Sequence, residues 1–83
     1  MNKMLENLME QLKEQFIYLH LAKDKEGNYY LYINGEKHVI EITVNENINK
    51  YVLKTVKFCC KDYRNIKQVK SINAVITYIK RFY

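Results

Sequence analysis

Two adjacent cysteines are the most reactive side chains in this 83-residue sequence, and they stand in the stretch KFCCKDYRNIKQVK as Cys59 and Cys60. No Cys-x-x-Cys pair is present, and neither histidine lies at zinc-finger spacing from the cysteines. A bridge between neighbouring cysteines closes a strained ring outside ordinary disulfide geometry. We therefore predict that both pack as small apolar side chains in the core, with no bound metal and no cofactor.

Other catalytic groups are sparse. His20 and His38 are the two histidines, Ser71 is the single serine, and no nucleophile stands at a recognisable spacing from either histidine. Gly27 and Gly35 are the two glycines, too few for either phosphate-binding glycine pattern. We predict that the protein is not an enzyme.

The first element that would position any site is an amphipathic helix over residues 3–15. Its apolar stripe consists of Leu5, Leu8, Met9 and Leu12. Its opposite side carries Glu6, Glu10 and Glu14, the pattern of a solvated acidic face.

Three antiparallel strands are predicted next, at residues 16–22, 28–34 and 37–44. The pair Asn34-Gly35 separates two alternating runs, and Asn-Gly is preferred at the centre of a tight hairpin because both residues must tolerate positive φ. A two-residue turn there places Leu31 opposite His38.

The two faces of this meander differ in character. One is apolar and predicts the core: Tyr29, Leu31, Ile33, His38, Ile40 and Ile42, joined by Ile17, Leu19 and Leu21. The other is aromatic, and its candidate binding residues are Phe16, Tyr18, His20, Tyr30 and Tyr32. Tyrosine is favoured at protein interfaces, and rings on a sheet also stack on RNA bases. The alternative is that a helix covers this face and the tyrosines form a second small core.

Two helices are predicted to close the chain. In residues 50–61 the apolar and polar side chains separate better on a helix, at 100° per residue, than on the two sides of a strand. The apolar arc of this helix would consist of Val52, Leu53, Val56, Cys59, Cys60 and Tyr63. A second helix would begin at an Asn65 cap and bury the stripe Ile66, Val69, Ile72, Ile76, Ile79 and Tyr83. The predicted fold is one small α+β domain over residues 1–83, in the order α-β-β-β-α-α, with a three-stranded antiparallel meander packed against helices.

Charge is divided along the chain: residues 1–48 carry eight acids and five bases, and residues 49–83 carry one acid and nine bases. The candidate phosphate-binding side chains lie on the polar sides of the two predicted C-terminal helices. They are Lys50, Lys54, Lys57, Lys61, Lys67, Lys70, Lys80 and Arg81. An ordinary solvated lysine-rich helix face explains the same pattern. Twelve lysines against two arginines argue against base-specific recognition, which favours arginine.

Chain length and hydropathy indicate where the protein is located and whether it forms a dimer. No apolar run approaches the roughly 18 residues of a membrane span, and the first residues do not read as a signal peptide, so we expect a cytoplasmic protein with no membrane partner. A chain of this length buries only about 60% of its unfolded surface, so a homodimer that completes the core is compatible with the sequence.

The composition indicates a source. Lys, Asn, Ile and Tyr supply 38 of the 83 residues, and their codons are AT-rich, as in an AT-rich bacterium or one of its phages or plasmids. The predicted layout resembles that of small phage-encoded anti-CRISPR proteins that block a Cas nuclease. The stretch that carries most of this resemblance is NGEKHVIEITVNENINKYVLKTV. The resemblance implies a small mobile-element protein that works by binding. It does not imply DNA mimicry, because this chain has a net charge of +5.

Our sequence-based hypothesis is a non-enzymatic protein from a phage or mobile element that inhibits a host defence protein, CRISPR-Cas-like, by direct protein–protein binding. The alternative is a basic nucleic-acid-binding module that uses the lysine-rich C-terminal portion.

Overall fold

The computed structural model describes residues 2–57 and 60–82, and the side chains of all of these except 60–64. Two helices flank five strands in the order α-β-β-β-β-β-α. The elements are α1 (Lys3–Leu12), β1 (Leu19–Lys23), β2 (Tyr29–Asn34), β3 (His38–Asn45), β4 (Lys50–Lys57), β5 (Cys60–Val69) and α2 (Ile72–Phe82). The α+β class is confirmed, but the sheet has five strands and not three, and one helix follows it and not two.

The strands form one antiparallel sheet in which spatial order equals chain order, β1-β2-β3-β4-β5. Helix α1 packs over β2 and β3, helix α2 packs over β3 and β4, and the helices touch each other. Both therefore cover the same side of the sheet, which we call the helix side. The core between the layers contains Leu31, Ile33, Ile40, Ile42 and Leu53 from the sheet, with Leu5, Leu8, Leu12, Val75 and Ile79 from the helices.

Helix α1 follows the predicted stripe, with Leu5, Leu8 and Leu12 buried. The Asn2 side chain caps it by accepting hydrogen bonds from the backbone N–H of Met4 at 2.7 Å and of Leu5 at 3.3 Å. The helix ends at Leu12, three residues before the predicted end.

The start of β1 differs from the prediction. The strand begins at Leu19, so Phe16 precedes it and lies buried in the core, 9% exposed, where a position on the aromatic sheet face was predicted. Ile17 is 82% exposed and Leu21 is 44% exposed, although both were predicted to join the core face. The physical reason is position: residues 13–18 form a connection, and β1 is an edge strand beyond the part of the sheet that α1 covers.

The β2–β3 register also differs. Leu31 pairs with Ile42 and Asn34 pairs with Val39, so the loop has four residues, closed by a hydrogen bond from the Gly35 N–H to the His38 carbonyl at 2.9 Å. The described residues with positive φ are Gly27 and Asn49, so Gly35 does not form the predicted tight turn. The slip is four residues, an even number, and an even slip leaves every side chain on its predicted face.

Both closing helices were wrong in the region before residue 70, because residues 50–57 and 60–69 form β4 and β5. In β4 the side chains of Tyr51, Leu53 and Thr55 are buried, and those between them are half-buried. Four of its eight residues are Tyr, Val or Thr, and β-branched and aromatic residues favour strands. The alternation was obscured because Lys54 shares the side away from the helices with the apolar Val52 and Val56.

Helix α2 begins at Ile72 and is capped by Ser71, not by Asn65, which lies in β5. The Ser71 hydroxyl accepts a hydrogen bond from the Ala74 N–H at 3.1 Å. The buried residues of the helix are Val75, Tyr78 and Ile79, so the predicted stripe is confirmed in part: Ile79 is buried, and Ile72 and Ile76 are partly buried against the core. The prediction for Cys59 and Cys60 lies outside the described side chains.

Candidate interaction surface on the helix-free side of the sheet

The side of the sheet opposite the two helices is the candidate functional surface, and we call it the open face. Alternation along the strands and the pairing register assign the side chains to it. They include His20, Ala22, Tyr30, Tyr32, Val39, Glu41, Thr43, Lys50, Val52, Lys54, Val56, Ile66 and Gln68. Neither described helix packs on this face, so the alternative in which a helix covers the tyrosines is wrong for the described residues.

Three rings form a cluster on β1 and β2. His20 and Tyr32 are directly paired across the strands, and their rings stack with centroids 4.9 Å apart and planes 23° apart. The Tyr30 ring lies 6.1 Å from that of Tyr32 in a tilted arrangement. His20 is exposed, and both tyrosines are half-buried. Because the rings hold one another in place, a partner binding here would order few additional side-chain rotations.

A single row of side chains crosses all five strands. The pairing runs from His20 to Tyr32, Glu41, Lys54 and Ile66. We call this set the central row. Adjacent strands lie about 4.8 Å apart, so the row spans roughly 19 Å. It presents aromatic rings at one end, an acid beside a base in the middle, and an apolar side chain at the other end.

The rows beside it are more apolar than a solvated sheet face requires. Val39 pairs with Val56 on one side, and Val52 lies on the other side. All three are half-buried, and Ile66 is 56% exposed. The water-facing side of an antiparallel sheet usually alternates to polar residues. An aromatic and apolar surface on that side is typical of an interaction site.

The predicted aromatic set is thus partly assembled. The structure brings His20, Tyr30 and Tyr32 together, leaves Tyr18 53% exposed just before β1, and removes Phe16 to the core. Sequence reasoning missed Val52, Val56 and Ile66 as members of the open face. Sequence periodicity gave no clear signal for the first two, because Val52 and Val56 are apolar on the side of β4 where alternation predicts polar residues.

The eight basic residues predicted to bind phosphates are divided between different parts of the surface and do not form one binding face. Lys50 and Lys54 lie on the open face, whereas Lys67 lies on the helix side beside Arg81. Lys70 and Lys80 are exposed, Lys57 stands half-buried at the end of β4, and the side chain of Lys61 is outside the described set. The correction follows from secondary structure, because alternation in strands separates lysines that a helix would have grouped.

Two further findings concern the described part of the chain. It contains no cluster of three or more His, Cys, Asp or Glu side chains arranged to hold a metal ion. Helices α1 and α2 have 10 and 11 residues, and neither is long and apolar enough to cross a membrane.

The fold and surface thus define a two-layer α+β protein with one exposed sheet face. Comparison of the chain with protein-family models, with curated proteins and with solved structures gives no significant match.

Proposed function

We propose that this is a non-enzymatic binding protein that docks on another protein through its open face. The observation that supports this most directly is the composition of the open face, which combines a preformed ring cluster with valines and an exposed isoleucine. Tyrosine anchors surrounded by apolar contacts supply much of the binding energy at protein interfaces.

The middle of the central row supports a protein partner with mixed character. Glu41 and Lys54 are Cα partners on β3 and β4, so opposite charges stand side by side between the aromatic and apolar ends. Such a pair fixes the orientation of a partner more than it adds affinity. The partner surface would therefore be apolar with complementary charges near its centre.

For the biological role, we propose a phage or mobile-element protein that inhibits a host defence protein, CRISPR-Cas-like, by direct binding in the host cytoplasm. The small size, the few catalytic side-chain types and the abundance of amino acids that have AT-rich codons support it. The observed fold has one closing helix in place of the two in the predicted layout, so the proposal rests on composition and on the open face.

Affinity purification of the tagged protein from its own host tests this proposal. The pull-down is done with and without nuclease, using the wild type, the Tyr30→Ala/Tyr32→Ala variant and a Lys80→Ala control at an exposed position of α2. We expect one protein in stoichiometric amount that survives nuclease, persists in the control and is lost in the double variant. Recovery of nucleic acid without a protein partner would contradict the proposal.

A second candidate function, binding of single-stranded nucleic acid, is supported by one observation. Lys50 and Lys54 share the open face with the stacked His20–Tyr32 pair, so phosphate-binding and base-stacking groups face the same way. Neutralising several phosphates makes affinity fall steeply between about 50 and about 200 mM salt. An affinity for a single-stranded oligonucleotide that stays flat over this range excludes this function.

A further inference from the structure

A groove on the helix side separates β5 from α2. Since α2 packs over β3 and β4, the helix-side residues of β5 extend past the helix layer. The groove has a volume of about 320 Å³. Its lining includes Asn65, Lys67 and Val69 from β5, and Thr77, Tyr78 and Arg81 from α2.

The floor of the groove is closed and its rim is basic. Tyr78 is 5% exposed, and its hydroxyl is hydrogen-bonded to the buried Thr55. Lys67 and Arg81 are exposed, and the Arg81 guanidinium lies 5.5 Å from the centroid of the Phe82 ring. Residues 65–82 contain four basic side chains and no acid, so the groove attracts negative charge.

The groove runs beside an available strand edge. Strand β5 spans ten residues at the end of the sheet order, and no strand of the described residues pairs with its outer edge. Outer N–H and C=O groups of an edge strand are a template for one more strand. An added strand would direct every second side chain toward the layer that contains α2.

Charge and burial decide among possible occupants. Pairing of β5 with β5 of a second copy would bring two basic regions together, which like-charge repulsion disfavours. Nucleic acid lacks the backbone amides that complete a sheet edge, and Tyr78 is too buried to stack on a base. An extended acidic polypeptide can form backbone hydrogen bonds with the β5 edge and can also place carboxylates beside the basic rim.

We propose that the outer edge of β5 binds an extended acidic segment of a partner protein, whose carboxylates pair with Lys67 and Arg81. The groove beside this edge is on the helix side, opposite the open face, and the site does not depend on the function proposed for that face. Strand addition supplies backbone hydrogen bonds, and the two cations select acidic side chains.

The test is an NMR titration of the ¹⁵N-labelled protein with a capped decapeptide of alternating glutamate and valine. We expect amide shifts confined to β5 and α2. Lys67→Glu and Arg81→Glu should each weaken binding at least tenfold. Lys80→Glu, the same charge change at an α2 residue that does not line the groove, should keep most of the affinity, and so should Lys54→Glu on the open face. Circular dichroism verifies that each variant is folded.

Two altered peptides separate strand addition from simple charge attraction. A glutamate–valine peptide with alternate backbone amides N-methylated should bind at least tenfold more weakly, because it cannot pair with the β5 edge. A lysine–valine peptide should not bind. The proposal is overturned by equal binding of the N-methylated or lysine peptide, by amide shifts centred on β1 and β2, or by the absence of any shift at millimolar peptide. It is equally overturned if a single-stranded oligonucleotide displaces the peptide from β5, or if the free protein dimerises through β5.

Discussion

Thr55 on β4 and Tyr78 on α2 share a hydrogen bond between their hydroxyl groups inside the core. Thr55 is fully buried and Tyr78 is 5% exposed, so water cannot replace either partner. This is a polar contact between the sheet and α2 in a mainly apolar core.

We expect Thr55→Val to destabilise the protein by about 1–3 kcal/mol, because it leaves the Tyr78 hydroxyl buried without its partner. Tyr78→Phe should have a similar effect by leaving the Thr55 hydroxyl unpaired. The double variant should cost clearly less than the sum of the two single changes, since no unpaired group remains. Urea unfolding followed by circular dichroism measures all three. Strict additivity would show that the hydroxyls do not depend on each other.

Leu31 and Tyr32 are neighbours in β2 that point to opposite sides of the sheet, so they separate core from surface. Leu31 is fully buried, and Leu31→Ala should cost about 2–5 kcal/mol. Tyr32→Ala removes cross-strand contacts on the open face and should cost about 1 kcal/mol or less. Thermal unfolding compares the two variants. A loss at Tyr32 equal to that at Leu31 would mean that the open face is covered.

Ser71 caps α2, so Ser71→Ala should lower the free energy of unfolding by about 1 kcal/mol. Asn65→Ala is the matched control, because Asn65 lies in β5 and caps no helix. Circular dichroism at 222 nm, recorded during denaturant unfolding, measures the loss of helix that follows removal of the cap. A larger helical loss from Asn65→Ala than from Ser71→Ala would favour the helix start predicted from the sequence.

Burial raises the pKa of the Tyr51 phenol above its ordinary value of about 10. The neutral phenol is 4% exposed and donates a hydrogen bond to the Met4 carbonyl of α1 at 3.3 Å. A raised pKa in the folded state gives a stabilising contribution that is complete below pH 10 and is lost as the pH rises through the folded-state value.

We therefore expect the wild type to lose stability above pH 10 more steeply than Tyr51→Phe, which has no phenol to ionise at this position. Denaturant unfolding at pH 8 to 11 measures the difference. Tyr18→Phe, at an exposed tyrosine, is the control for removing a phenol. Equal slopes for the wild type and Tyr51→Phe would contradict the prediction.

The faces of β2 and β3 could be predicted from the sequence, although their register could not. Alternating polarity assigns Leu31 and Tyr32 to opposite sides whatever the partner residue. The register depends on the loop, and Asn34-Gly35 favoured a two-residue turn that the sheet does not use. Pairing Leu31 with Ile42, and Ile33 with Ile40, aligns four core residues, and this gain exceeds a local turn preference.

Residues 50–57 could not be recognised as strand β4 from their own sequence, because the assignment depends on the strands that pair with them. Val52, Leu53 and Val56 fit one helical arc, whereas in the strand Leu53 points to the core and the two valines point to the open face, so periodicity alone favoured the wrong element. Lys54 is explained by its neighbours, Glu41 on β3 and Ile66 on β5, which the sequence does not reveal as partners. The candidate surface was therefore predicted at the rings of β2 and missed on β4 and β5.

The sheet order that follows the chain has a consequence for how the protein folds. Every strand pairs with the next one along the chain, through connections of no more than five residues, so no strand must wait for a distant segment. Closing short loops costs little entropy, and chains dominated by local pairing fold faster than Greek-key sheets of equal size. The meander can grow by successive hairpins, and α1, which precedes β1, and α2, which follows β5, then close the core from outside the hairpin series.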